Sequence, residues 1–247
     1  MKIIAIIPAR YASTRFPGKP LIDIGGKTMI QRVTEQVRLC KSISDVIVAT
    51  DDERIFSHVE SLGVQCVMTL VGHPSGTDRC LEAFEKTKAD ADCIVNVQGD
   101  EPFVDPSQLD ALCALISQPG VSIATLAKRI TDKETLFDSS KVKVVINKHS
   151  QALYFSRQAI PFYRNAGEGT WHTLHGYYKH LGLYAFKSET LRSVCALPAS
   201  SLERAESLEQ LRWIENGYSI HVGITEIESA AIDTPEDLQS VMNRYFS

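Results

Sequence analysis

Ile3-Ile4-Ala5-Ile6-Ile7 runs without interruption into Pro8-Ala9-Arg10-Tyr11-Ala12-Ser13-Thr14-Arg15-Phe16-Pro17-Gly18-Lys19-Pro20. Five consecutive apolar residues, rich in β-branched Ile, suit a strand buried on both faces of a parallel sheet. In open α/β sheets, ligands bind just beyond the carboxyl ends of the strands. The loop at that place carries Gly18 and three cations, Arg10, Arg15 and Lys19. Arg offers phosphate oxygens a planar fork and Lys a point charge. Taken singly, each cation reads as a solvated surface charge. Three within ten residues, at the end of the first strand, point to a polyanion such as a nucleoside triphosphate.

Strand and helix patterns alternate from there, the signature of βαβ units. Met29, Ile30, Val33 and Val37 repeat at helical spacing, and Asp45–Thr50 reads as a second strand. Ile55, Phe56, Val59 and Leu62 predict a helix that stops at Gly63, and Val64–Met68 a third strand. A helix is expected from near Thr77 through Leu81 and Phe84. Cys93–Val97 is the fourth strand and empties into Gln98-Gly99-Asp100-Glu101-Pro102. Asp105-Pro106-Ser107-Gln108 has the order of a helix start, with Asp at the cap, Pro at the first position and Gln at the third. Val121–Ala127 reads as a fifth strand.

The pattern changes from about Val142. Val142–Ile146 and Ala152–Phe155 flank a hairpin-like turn, and the polar stretch Phe162–His175 is expected to be a mobile loop. Tyr184–Phe186 and Ser219–Ile224 read as strands, and Leu208, Leu211 and Ile214 stripe a helix ending at Gly217. Thr234-Pro235-Glu236-Asp237 opens a final helix. The expected fold is α/β: a central, mostly parallel, Rossmann-like sheet wrapped by helices. Residues 1–247 are expected to form one domain, with a β-rich excursion over about 142–187 serving dimerisation or substrate enclosure.

Composition narrows the partners. A net charge of -4 over 247 residues gives no global field for nucleic acid or an anionic membrane. The six cysteines form no CxxC pair and no zinc-spaced Cys/His cluster, so free thiols in a reducing cytoplasm are expected. No stretch approaches the roughly 20 apolar residues of a membrane span. GxGxxG, GxxxxGK[ST] and GxSxG are all missing. That argues against a Rossmann dehydrogenase, a P-loop NTPase and an α/β-hydrolase.

Two aspartates stand at loop positions. Asp100 follows the fourth strand, and Asp233 precedes the last helix. Mg²⁺ takes oxygen ligands, usually one or two carboxylates completed by substrate phosphates, and one Asp from each loop would serve. Asp233 has an equal second reading as support for the helix start at Thr234. Ser75-Gly76-Thr77-Asp78-Arg79 also has two readings: an anion or base-edge site at a helix start, or an ordinary cap at Thr77. Asp51-Asp52-Glu53 needs no role beyond favouring a helix dipole. His180, in Lys179-His180-Leu181-Gly182, lies beside the polar loop, and as a lone histidine it has a structural reading too.

The ordered set of motifs resembles the 3-deoxy-manno-octulosonate cytidylyltransferase (CMP-Kdo synthetase) family. The residues that carry the likeness are the Pro8–Pro20 loop, Ser75–Arg79 and Asn96–Pro102. Ala152–Arg157, Lys179–Gly182, Leu208–Arg212 and Asp233–Asp237 continue it along the chain. The resemblance implies transfer of CMP from CTP to Kdo, an eight-carbon acidic sugar, with release of pyrophosphate and dependence on Mg²⁺, in a cytoplasmic homodimer serving lipopolysaccharide synthesis. It implies that Arg10, Arg15 and Lys19 face the triphosphate, with Arg10, Lys19 and Asp100 as the catalytic set. It places the cytidine near Ala12, Ser75, Gly76 and Arg79, and the metal on Asp100 and Asp233. It points to Gln98, Arg157, His180, Tyr184 and Glu209 for the sugar, with Arg157 on its carboxylate. Glu209 can equally be a helix-surface acid three residues before Arg212. The same chemistry on sialic acid or an amino-Kdo sugar, and a non-catalytic CTP sensor, are the alternatives.

Overall fold

The structure is a computed structural model, and it describes residues 1–12 and 16–246. Arg15, expected at the triphosphate, lies outside the described residues. The elements follow in chain order as β1 (Ile3–Ala9), α1 (Met29–Leu39), β2 (Asp45–Thr50), α2 (Glu53–Ser61), β3 (Gln65–Met68), α3 (Gly76–Thr87), β4 (Cys93–Asn96) and α4 (Pro106–Ile116). Next come β5 (Ile123–Arg129), α5 (Lys133–Phe137), β6 (Lys143–Ile146), β7 (Ala152–Ser156), α6 (Trp171–Leu174), β8 (Tyr178–Lys187) and α7 (Ser188–Cys195). The chain ends with α8 (Ser201–Glu206), α9 (Gln210–Glu215), β9 (His221–Ile224) and α10 (Pro235–Phe246). It divides into two compact units, Met1–Cys113 with Glu228–Ser247, and Ala114–Ile227. The excursion read over 142–187 falls inside the second.

In the first unit, parallel strands lie in the order β3-β2-β1-β4. Ile4, Ala5, Ile6 and Ile7 of β1 are fully buried, as a strand covered on both faces requires. The register sets Ala9 opposite Thr50 and Ile6 opposite Asn96. The loops leaving β1, β2 and β4 therefore start along one edge of the sheet, the edge where α/β sheets bind ligands. Thr28 caps α1 by accepting from the Gln31 amide, and Met29, Ile30, Val33 and Val37 are its buried face.

Helix α10 returns to this unit. Val241 joins Ile24, Met29 and Ile232 in one apolar cluster. The Tyr245 ring stacks on Phe103 at 4.1 Å between centroids, and the Arg32 guanidinium lies over Phe246 at 4.7 Å. The expected cap is present: the Asp237 amide donates to Thr234 Oγ1 at 3.2 Å, and Asp237 Oδ2 accepts from the Thr234 amide at 2.9 Å.

In the second unit, β5 pairs antiparallel with β8 and parallel with β9, and β6 pairs antiparallel with β7 and β8. Trp213 of α9 is fully buried, edge-on to Tyr184 and Phe186. The stretch expected to be a mobile loop is instead partly helical, with a 3₁₀ turn at Glu168–Thr170 followed by α6. A single residue organises it. Trp171 is buried among Ile130, Leu136 and Tyr177, and its indole N–H donates to the Ala166 carbonyl at 3.0 Å. One aromatic anchor has no periodicity, so the pattern of the sequence does not reveal it.

Lys143 in β6 is fully buried. Its ammonium donates to the carbonyls of Asp138 (2.8 Å), Lys141 (2.6 Å) and Arg157. Burial holds its pKa below the usual lysine range. Three dispersed backbone acceptors depend on this one cation. We expect Lys143→Met to lower the unfolding free energy by about 3 kcal/mol through unsatisfied buried acceptors. Urea denaturation of both proteins checks this.

Candidate active site

The loops at the carboxyl edge of the first unit enclose a cleft of about 240 Å³. Pro8, Ala9, Arg10, Lys19 and Pro20 line one side, His73, Pro74, Ser75, Gly76 and Arg79 another, and Gln98, Gly99, Asp100 and Asp233 the rest. Two glycines are required by the geometry. Gly18 has φ +73°, and a Cβ there would press on the Tyr11 ring at 3.1 Å. A Cβ on Gly99 would sit 2.8 Å from the Pro8 carbonyl oxygen, so only glycine lets the β4 loop lie this close to the β1 loop.

Lys19 is the centre of the cleft's charge. Its Nζ donates to Asp100 Oδ2 at 2.7 Å and to Asp233 Oδ1 at 3.0 Å. The Ile232 amide donates to the Asp100 carbonyl at 2.9 Å, and Ser229 Oγ donates to Glu101 Oε2 at 2.7 Å. These bonds lay the segment before α10 alongside the loop after β4. The Asp233 amide is held by Asp237 Oδ2 at 3.0 Å, so Asp233 supports the helix start through its backbone and faces Lys19 with its side chain. The helix-start reading of Asp233 is thus realised through its backbone, while its side chain stays in the cleft against Lys19.

Ser75, not Thr77, caps α3, accepting from the Asp78 amide at 3.2 Å. Thr77 is buried and accepts from Asn96 Nδ2 at 3.4 Å. Arg79 is buried, and its guanidinium donates to Thr69 Oγ1 at 2.6 Å and to Asp51 Oδ2 at 2.8 Å. Asp51, read as a plain helix-start acid, therefore balances a buried charge beside the cleft. Asp52 alone caps α2. Asp51 and Arg79 lie on separate turns, so no local pattern announces the pair.

Of the residues singled out in the sequence, Arg10, Lys19, Ser75, Gly76, Arg79, Gln98, Asp100 and Asp233 share this cleft. Arg10 and Ala12 are exposed, and Ala12 does not line it. The other four lie in the second unit. There, the His180 ring packs against Phe155 and Tyr184 at 5.0 and 5.2 Å, and its Nε2 is 3.0 Å from Thr125 Oγ1. Burial pushes the His180 imidazole down to about 3, so the ring is neutral at physiological pH. Burial, with the Glu209 carboxylate adding to it, pushes the Tyr184 phenol well above its usual range. Arg157 is anchored through Nε to the Glu206 carbonyl at 2.8 Å. Its terminal nitrogens make longer contacts, 3.4 Å to the Ser139 carbonyl and 3.3 Å to that of Ser207.

The carboxylates of Asp100 and Asp233 meet at one cation and remain partly exposed (27 and 39 %). No cluster of three or more His, Cys, Asp or Glu side chains able to hold a metal occurs among the described residues. Two hard oxygen donors opening on a cleft fit a magnesium ion that draws its other ligands from phosphates and water. They do not fit a closed structural site.

Fold and cleft together define a nucleotidyltransferase of the α/β type. The family described as cytidylyltransferase matches residues 4–223. A 3-deoxy-manno-octulosonate cytidylyltransferase of Bacteroides thetaiotaomicron is 57 % identical over 97 % of this chain and 96 % of its own. That of Cytophaga hutchinsonii is 54 % identical over 98 and 96 %. A solved structure of CMP:2-keto-3-deoxy-manno-octonic acid synthetase complexed with CTP superposes with a TM-score of 0.91 at 41 % identity, covering 99 % of this chain and 98 % of that one. The chain belongs to the 3-deoxy-manno-octulosonate cytidylyltransferase family. Among the described residues, no helix is long and apolar enough to cross a membrane.

Two outcomes are expected. Asp51→Ala strands the buried Arg79 charge and should cost about 3–5 kcal/mol of stability, read as a lowered denaturation midpoint. The depressed pKa of His180 means that the native state resists a proton the unfolded chain accepts. Its contribution is full above about pH 6.5 and is lost as pH falls toward about 3. His180→Gln should therefore flatten the acid side of the stability profile relative to the parent, measured by urea midpoints at pH 7.5 and pH 5.

Proposed function

We propose that the protein transfers the CMP moiety of CTP to the anomeric hydroxyl of Kdo, giving CMP-Kdo and pyrophosphate. The observation that carries this reading is the Lys19 ammonium held against both Asp100 and Asp233 in a cleft that also contains Arg10, Ser75 and Gln98. The family relationship supplies the substrates. In the reaction the anomeric oxygen gives its proton to water and bonds to the α-phosphorus. The bond from that phosphorus to the bridging oxygen breaks, and its electron pair departs with pyrophosphate.

Little of this is covalent work for the protein; positioning and charge neutralisation dominate. Lys19 and Arg10 neutralise charge on the α-phosphate and the leaving group. Asp100 and Asp233 would hold Mg²⁺. When bound, that ion supplies Lewis acidity toward phosphoryl and hydroxyl oxygens. Ser75, Gly76 and Arg79 border the nucleoside. The family relationship assigns Gln98, Arg157, His180, Tyr184 and Glu209 to the sugar. Neutral His180 and a protonated Tyr184 have the chemistry to bond hydroxyls, and the loosely held terminal nitrogens of Arg157 have capacity for a carboxylate. By the same family relationship we assign a cytoplasmic homodimer.

Pyrophosphate release from CTP plus Kdo tests the reading. Turnover should require Mg²⁺, stop with chelator and return when the ion is restored. Lys19→Ala should lower turnover on the order of 10²–10³-fold, and Asp100→Ala should abolish the response to Mg²⁺. CTP binding without pyrophosphate release would identify a sensor. Faster turnover of sialic acid or an amino-Kdo sugar would reassign the acceptor.

A further inference from the structure

His73 was not among the residues singled out by the sequence, yet it lines the cleft next to Ser75 and Gly76. Its ring is fixed by a short hydrogen bond between Nε2 and Glu82 Oε2. Glu82 is itself fixed: it accepts from the Leu70 amide at 2.9 Å and pairs with Lys86 Nζ at 2.7 Å. Burial works to raise the Glu82 carboxyl, but the bonds from Lys86, His73 and Leu70 outweigh it and hold it at about 2. An ionised carboxylate only accepts, so the proton on Nε2 belongs to His73. In the neutral imidazole that leaves Nδ1 as an acceptor. The ring makes no second hydrogen bond among the described residues.

The surrounding wall indicates what that acceptor meets. Arg79 faces Asp51, and Glu82 faces Lys86, so both charges are already matched. Phosphates are assigned to the side of the cleft that carries Lys19 and Arg10; this side, with its charges matched and with small Ser75 and Gly76, suits an uncharged nucleoside. We propose that His73 is a specificity-determining residue. Its tautomer is set by Glu82, and Nδ1 accepts a hydrogen bond from an N–H or O–H group of the nucleoside half of the nucleotide. The proposal rests on CTP being the substrate. The donor is either the exocyclic amine of cytosine or a ribose hydroxyl, and UTP and 2′-deoxy-CTP separate the two.

The test uses the full chain and measures kcat/KM for CTP, UTP and 2′-deoxy-CTP. Turnover of CTP by the unsubstituted protein establishes the substrate independently of any His73 variant. His73→Gln keeps an amide nitrogen near the position of Nε2 to bond Glu82 but removes the acceptor at Nδ1. His73→Asn puts its amide oxygen near the position of Nδ1. In His73→Gln we expect one preference, CTP over UTP or CTP over 2′-deoxy-CTP, to fall on the order of tenfold, with the melting temperature unchanged. His73→Asn should restore that preference. A fall in the first ratio assigns the amine, and a fall in the second assigns the hydroxyl. If both ratios hold in His73→Gln while kcat/KM falls equally for all three nucleotides, His73 only braces its loop and the proposal is overturned. Unchanged kinetics throughout would overturn it as well.

Discussion

The shared ammonium of Lys19 is the constraint around which the first unit is arranged. Two carboxylates set side by side repel, and the structure places a cation against both, with contacts of 2.7 and 3.0 Å. The direct energy of such partly solvated pairs is small, about 0–1 kcal/mol each. Their importance is positional. Lys19 follows β1, Asp100 follows β4 and Asp233 precedes α10, so one side chain fixes the relative placement of three chain segments. Everything else in the unit makes that meeting feasible: the β1–β4 register, the bare Cα of Gly99 against Pro8, and the aromatic stack that seats α10.

Polar groups are settled in two ways. In the first, charge is matched by charge: Arg79 with Asp51, Glu82 with Lys86, Lys19 with two aspartates. In the second, burial keeps His180 neutral and Tyr184 protonated. A phosphate-handling cleft needs fixed cations whose positions are set in advance, because reorganising them during reaction is costly. Hydroxyl groups need uncharged donors and acceptors, which an enclosed setting favours.

Much of the fold was legible in the sequence because its signals are local and repetitive. The apolar run of β1, the spacing of Met29, Ile30, Val33 and Val37, and the Thr234–Asp237 cap each specify their element within a few residues. Asp100 and Asp233 were legible as candidates because loops at strand ends are where ligands bind. What escaped depends on contacts distant in the chain or on a single side chain. Asp51 gained its role only when α3 brought Arg79 to it. His73 carried no pattern, though Glu82 nine residues later offers a partner. Trp171 folded a stretch whose composition looked like open loop. The short helices α5, α7 and α8 span at most about two turns, too few for a period to show, although the Ser200–Glu203 box at α8 was a local signal that pattern alone offered.

The return of α10 to the first unit has a consequence for synthesis. Lys19 and Asp233 are separated by 214 positions, and the whole second unit is made between them. While the chain is being translated, the β1–β4 sheet can assemble with the Lys19–Asp100 half of the arrangement in place, but without its third corner. The contact that joins these three segments is therefore completed only after nearly the whole chain has been made.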